Sequence, residues 1–175
     1  MTQYYKFKMI DPKVLLDFIK ERRSIRAFQS KIVPENEIEM ILEAGRWAPS
    51  ASNRQPWQFI IIKSKEMLEK VARVARYGKF ISEASFAVAI VGKPRTSHNW
   101  YVVDTSLVSM NMMLMAWSLG IGTCWIGSMN KEKAKEVLGL GVKDYLLTVL
   151  PFGYIQGDKP YPTYRKPLSD ITKDL

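Results

Sequence analysis

Arg22-Arg23-Ser24-Ile25-Arg26 brings three guanidinium groups into five residues. Charges so close repel one another unless solvent separates them or an anion lies between them. In an extended segment, alternation turns Arg22, Ser24 and Arg26 to one side and Ile25 to the other. That side suits a phosphate, whose oxygens guanidinium forks bind in pairs. A solvated basic turn is the plain alternative, and the segment alone allows both.

A second stretch, Ala48-Pro49-Ser50-Ala51-Ser52-Asn53-Arg54-Gln55-Pro56-Trp57, offers different chemistry. Pro49 and Pro56 bias their preceding residues away from helix. The small residues between them let backbone approach a flat ligand, and Ser50, Asn53 and Gln55 carry donors and acceptors. Turn chemistry also makes an ordinary polar surface loop of such a composition. Gly127-Ser128 is a third point at which backbone can meet a ligand.

Other chemistries are excluded. With one histidine, His98, and one cysteine, Cys124, no zinc-type cluster and no internal disulfide can be assembled. His98 is expected at the surface, and Cys124 as a buried small hydrophobe. A single cysteine fits a reducing, cytoplasmic setting. There is no Gly-x-Gly-x-x-Gly after a strand, no Walker loop and no Gly-x-Ser-x-Gly elbow. An enzyme with this sequence leaves the hard chemistry to a cofactor.

The net charge of +9 admits nucleic acid, an anionic membrane or phosphorylated small ligands as partners, or simply surplus surface lysine. No basic run reaches the length of a nucleic-acid tail. The uncharged stretch 105–130 is interrupted by Ser106, Ser109, Asn111, Ser118, Gly120 and Gly122, so it reads as a buried helix and a strand rather than a membrane span. Met1 to Lys8 lacks the apolar centre of an export signal.

The elements that must position these residues follow from periodicity. Asp11-Pro12 caps a helix running to about Glu21. Pro34-Glu35 opens a second helix that ends near Trp47. Strands are expected at Trp57–Lys63, Phe86–Val91, Gly122–Ile126 and Tyr145–Phe152, with Pro151 suiting a strand terminus or an edge. Further helices are expected at Glu66–Arg76, Tyr101–Leu119 and Lys131–Leu138. The long helix is apolar nearly all round, and in 175 residues a subunit interface is the natural lid for it. Helices alternating with strands make one α+β domain over residues 1–175, helices packed around a small mixed sheet.

Taken together, these motifs resemble the nitroreductase family of flavin enzymes. The pieces are Arg22-Arg23-Ser24-Ile25-Arg26-Ala27-Phe28, the Ala48–Trp57 stretch, Leu119-Gly120-Ile121-Gly122-Thr123-Cys124-Trp125-Ile126-Gly127, and Arg165-Lys166-Pro167-Leu168. The resemblance implies an intertwined homodimer with two FMN molecules at the subunit interface and ping-pong transfer of two electrons from NAD(P)H to an electron-poor small molecule. It places the FMN phosphate and ribityl chain on Arg22, Ser24 and Arg26, with Arg23 lending backbone or charge and Arg165 as a second phosphate arginine. Pro49, Ser50, Ala51, Asn53 and Gln55 would reach the partner subunit's flavin, and Ile126 and Gly127 would offer backbone near its ring. No catalytic side chain is implied, and neither nucleic acid nor membrane is an expected partner. Related FMN chemistry, such as reductive dehalogenation or flavin breakdown, and a basic non-enzymatic binding module are the alternatives.

Overall fold

The computed structural model describes residues 9–175, so the expectation about an export signal in Met1–Lys8 lies outside it. Asp11 accepts backbone N–H bonds from Lys13 and Val14 and starts α1, Pro12–Glu21. The chain continues through α2 (Glu35–Arg46), β1 (Trp57–Ile62), α3 (Lys65–Arg73), β2 (Phe86–Gly92), α4 (Tyr101–Ser118), β3 (Ile121–Thr123), α5 (Lys131–Val137) and β4 (Tyr145–Tyr154). The α3 helix ends earlier than the periodicity implies, because Ala75 leaves it to bridge Met129.

The strands form one sheet in the order β1-β2-β4-β3. Every ladder in it is antiparallel. The α+β class stands, but the expected mixed sheet is corrected: among the described residues, parallel pairing is confined to the single bridge between Ser24 and Thr123. The seven residues of β2 are all buried, since both faces of the sheet are covered. Phe86, Val88 and Ile90 meet Ile38 and Ile41 of α2 and Val108 and Met112 of α4. Ala87, Ala89 and Val91 meet Leu68 and Val71 of α3 and Ala134 of α5. The sheet is therefore the middle of three layers.

Pro151 decides where β3 stops. Phe152 accepts the N–H of Ser85 and so faces β2, which turns Pro151 toward β3. The β3 ladder pairs Ile121 with Tyr154, Gly122 with Gly153 and Thr123 with Phe152. The next residue of β4 is Pro151, which has no N–H to donate. The strand expected over Gly122–Ile126 is thus cut at Thr123, and Cys124 to Ser128 leave the sheet. Pro151 lies neither at an edge nor at the terminus of β4. It sits inside a central strand, at the point where its missing donor ends a neighbour.

Two apolar surfaces find no cover among the described residues. No residue of α1 is buried, although Val14, Leu15, Leu16 and Ile19 line it. The α4 helix buries Val108, Met112 and Ala116 but leaves Val103, Leu107 and Met110 exposed.

Candidate functional site

After Arg22 the chain runs extended beside β3. Ser24 bridges Thr123, and the Ile25 N–H donates to the Thr123 carbonyl at 3.0 Å. Gly122 allows this approach, since a Cβ there would lie 2.6 Å from the Ile25 Cβ. The expected alternation holds. Arg23 and Ile25 are buried, Arg22 and Ser24 are half-buried, and Arg26 is exposed.

Arg22 Nη1 is buried and has no hydrogen-bond partner among the described residues. Burial pulls this guanidinium below its ordinary pKa, the charge of Arg165 pulls it further, and Arg23 adds a smaller push against an opposing effect of Cys124. Positive charges gathered around a buried, unpaired N–H form a receptor that an anion would complete.

Arg165 comes to this place because the tail is tied to the end of α1. Arg23 Nε donates to the Pro160 carbonyl at 3.1 Å, and its Nη1 to the Lys20 and Arg22 carbonyls at 2.5 and 2.9 Å. Lys159 forms an ion pair with Glu21. The Arg23 guanidinium is thus a clamp on the backbone. Its charge still reaches Arg22, but its donors are engaged by carbonyls.

Arg26 borders a cavity of about 180 Å³ with Tyr77, Phe80, Cys124, Ile126 and Gly127. A Cβ at Gly127 would meet nothing within 4 Å, so the backbone there faces open space. Burial pushes the Cys124 thiol up, while Arg26, Ser24 and Arg22 pull it partly back. The thiol therefore feels the charge of both arginines, although the sequence around it shows no charge.

The Ala48–Trp57 loop contains a short 3₁₀ turn, Ala51–Asn53. Ser52, Asn53 and Gln55 take φ values of 51°, 53° and 51°, the left-handed region that non-glycine residues seldom adopt. Three contacts hold this shape. Ser50 Oγ accepts the Gln55 N–H at 2.9 Å, Asp104 Oδ1 accepts the Ala51 N–H at 3.2 Å, and the Gln55 amide donates to the Asn53 carbonyl and Oδ1 at 3.2 Å. Pro49, Ser50 and Ala51 border a cavity of about 300 Å³ with Trp100, Asp104 and Leu107. It shares no lining residue with the Arg26 cavity.

Arg26 thus lines a cavity with Ile126 and Gly127, and Arg22 and Ser24 precede it on the same extended segment. Arg165 lies near enough to Arg22 for its charge to lower that guanidinium's pKa, and Pro49, Ser50 and Ala51 lie on a separate cavity. Asn53 and Gln55 are exposed. Sequence reasoning missed Asp104, whose second carboxylate oxygen is buried without a partner. The available signal was an acid, the only one in α4, within an otherwise apolar helix. Tyr77 and Phe80 carried no signal, because the fold alone brings them to Arg26.

The nitroreductase family model matches residues 19–84 and 69–154, which span the arginine segment, the loop and all four strands.

The chain belongs to the nitroreductase family.

An Archaeoglobus fulgidus relative, provisionally named NADH dehydrogenase/NAD(P)H nitroreductase, is 34% identical over 153 residues, covering 83% of this chain and 88% of the relative. A family member of Desulfovibrio desulfuricans, solved in complex with FMN, superposes with a TM-score of 0.85 at 25% identity, over 95% of this chain and 98% of that one. A more distant relative, the iodotyrosine dehalogenase 1 homolog of Caenorhabditis elegans, is 24% identical over 92% of this chain and 61% of its own length. Among the described residues, no helix is long and apolar enough to cross a membrane.

Proposed function

We propose that this chain is an FMN-dependent oxidoreductase that passes two electrons from NAD(P)H to an electron-poor acceptor, a nitroaromatic, a quinone or a similar small molecule, and that it does so as a homodimer. The observation that carries this is the buried Nη1 of Arg22, without a partner among the described residues and with the Arg165 charge near enough to lower its pKa, which supports a place for the FMN phosphate. Arg22, Arg26 and Arg165 hold that phosphate, Ser24 the ribityl chain, and the backbone at Ile126 and Gly127 borders the ring. Bound there, FMN supplies hydride chemistry that accepts two electrons from one molecule and gives them to another, so donor and acceptor use the site in turn.

The protein's own work is placement. Pro151 releases Cys124–Ser128 from the sheet, which lets Gly127 present its backbone to the cavity. The loop residues Pro49, Ser50, Ala51, Asn53 and Gln55 serve the partner subunit's flavin, which accounts for their lying away from the arginines of their own chain. The exposed apolar stripes of α1 and α4 supply the surface that such a dimer needs.

The deciding experiment is the absorbance spectrum of the purified protein, with mass analysis of the chromophore released by heat. FMN in equimolar amount with the chain, bleached by NADH or NADPH and restored by a quinone, is the expected result. A colourless protein that takes up no FMN would refute it. A second reading, reductive dehalogenation, is favoured by the dehalogenase relative. Release of iodide from iodotyrosine by the reduced enzyme, faster than its reoxidation by quinones or nitroaromatics, would establish that reading instead.

A further inference from the structure

Beside the cavity at Arg26, and sharing Gly127 and Ser128 with it, lies a cleft of about 690 Å³ bordered by Arg73, Arg76, Asn130 and Lys133. We infer that this cleft receives the phosphates of the dinucleotide electron donor, an inference that rests on the function proposed above.

The charge pattern carries the first part of the argument. The lining holds three cations and no carboxylate. Arg73, Arg76 and Lys133 are exposed and enter no ion pair among the described residues. Their neighbours on the same helices differ: Lys70 is paired with Glu66 at 2.6 Å, and Lys135 with Glu132 at 3.6 Å. Lys65 and Lys131, also outside any ion pair, donate instead to the Ser82 carbonyl and the Tyr145 hydroxyl. Among the described residues, the cations of these helices without such a partner are therefore those that line the cleft.

The backbone carries the second part. Arg76 N–H donates to the Ser128 carbonyl and Asn130 N–H to the Val74 carbonyl, both at 2.9 Å, and Ala75 bridges Met129. The end of α3 is thus stitched to the chain that continues from Gly127. Asn130 Oδ1 in turn accepts the Lys133 N–H at 3.1 Å, which fixes the start of α5. The Arg76 guanidinium lies 5.2 Å from the centre of the Tyr77 ring, and Tyr77 lines the cavity next door. The cations are therefore held by the same short segment that offers its backbone to the ring.

The chemistry joins the two. A dihydronicotinamide that reaches the flavin ring needs little charge around it, but the phosphates of its nucleotide stay ionised and must lie outside the ring cavity. Passing over Gly127 and Ser128, they meet guanidinium and ammonium groups that bind phosphate oxygens through charge-assisted bonds.

The test is rapid anaerobic reduction of FMN-loaded protein at a series of NADH and NADPH concentrations, repeated with N-benzyl-dihydronicotinamide, which has no phosphate. Arg73→Ala, Arg76→Ala and Lys133→Ala should each raise the apparent Kd for the dinucleotide by about three- to tenfold, the scale of exposed charge contacts. The limiting rate, the FMN affinity and the reaction with the benzyl donor should stay unchanged, as should every readout in Lys143→Ala. Losses with both dinucleotides place the diphosphate in the cleft, and a loss with NADPH alone places the 2′-phosphate there. Variants that match the wild type in Kd, or that lose the benzyl donor equally, would overturn the cleft while leaving the flavin assignment intact. A flavin that no dihydronicotinamide reduces would overturn the proposed function and the cleft with it.

Discussion

Asp104 Oδ1 accepts the backbone N–H of Ala51 at 3.2 Å, from a carboxylate that is only 2% exposed. The carboxylate sits in α4 and the amide in the loop, so one bond ties the loop's left-handed backbone to the rigid middle of the molecule. Asp104→Ala should destabilise the fold by about 1–3 kcal/mol, the cost of leaving a buried donor unsatisfied, and should weaken FMN binding. Asp104→Asn keeps an acceptor for Ala51 and should lose less of both. Urea unfolding and FMN titration of the two variants measure the difference, and equal losses would show that Asp104 is not acting through this bond.

The arginines should discriminate between ligands. Arg22→Ala, Arg26→Ala and Arg165→Ala should each weaken FMN about tenfold to a hundredfold, since a hydrogen bond to a charged group contributes about 1.5–3 kcal/mol. Riboflavin, which lacks the phosphate, should be affected far less. Lys133→Ala should leave FMN binding unchanged, because Lys133 stands on α5 outside the Arg26 cavity. Titration of apoprotein at fixed salt decides this, and equal loss of both flavins would mean that the arginines shape the fold rather than grip phosphate.

Arg23 should behave differently from its neighbours. Of its three bonds to carbonyls, the one to Pro160 holds the tail and the other two fix the end of α1, so Arg23→Ala should cost roughly 1.5–3 kcal/mol of stability. It should also open residues 158–165 to protease. Limited proteolysis followed by mass analysis would show the cut, and an unchanged digestion pattern would contradict the clamp.

The apolar stripe of α4 gives a test of assembly. Leu107→Glu places a charge beside Pro49–Ala51 on a surface proposed to be buried between subunits. Sedimentation should show dimer for the wild type and monomer with lost flavin for the variant. A monomeric wild type saturated with FMN would remove the composite site.

An acid-side effect should be traceable to one carboxylate. Glu43 accepts from Arg46 Nε and Trp47 Nε1, each at 2.7 Å. The bond to Arg46 is the largest cause, Trp47 the next, and together they lower its pKa from 4.5 to about 2. Because the folded value is depressed, its contribution is fully present above the ordinary carboxylate range and is lost as pH falls through the folded value. Glu43→Gln should therefore flatten the decline in stability between about pH 4.5 and pH 2. Added salt should shrink the effect, since both side chains are exposed. Unfolding midpoints measured across that range at two salt concentrations check the sign.

Much of this architecture was legible in the residues, for identifiable reasons. Asp11-Pro12 announced α1, and alternation in Arg22–Arg26 correctly separated the outward side chains from Ile25, because both are local rules. The end of β3 was not legible: Cys124-Trp125-Ile126 is apolar enough for a strand, and what stops it is Pro151 on the opposing chain. The clamp of Arg23 was hidden for the same reason, since its acceptor stands 137 residues away. Periodicity reports on neighbours along the chain, and these features depend on neighbours across it.

That separation bears on how the molecule is made. The arginine segment leaves the ribosome early, yet the acceptor that anchors Arg23 and the proposed second phosphate arginine are residues 160 and 165. A nascent chain halted at residue 150 has the loop, Asp104 and three complete strands, but lacks Pro151, which ends β3, and the tail that carries Arg165. On the proposed function, cofactor capture is therefore expected to be a late event in the life of each new chain, waiting on translation through residue 165.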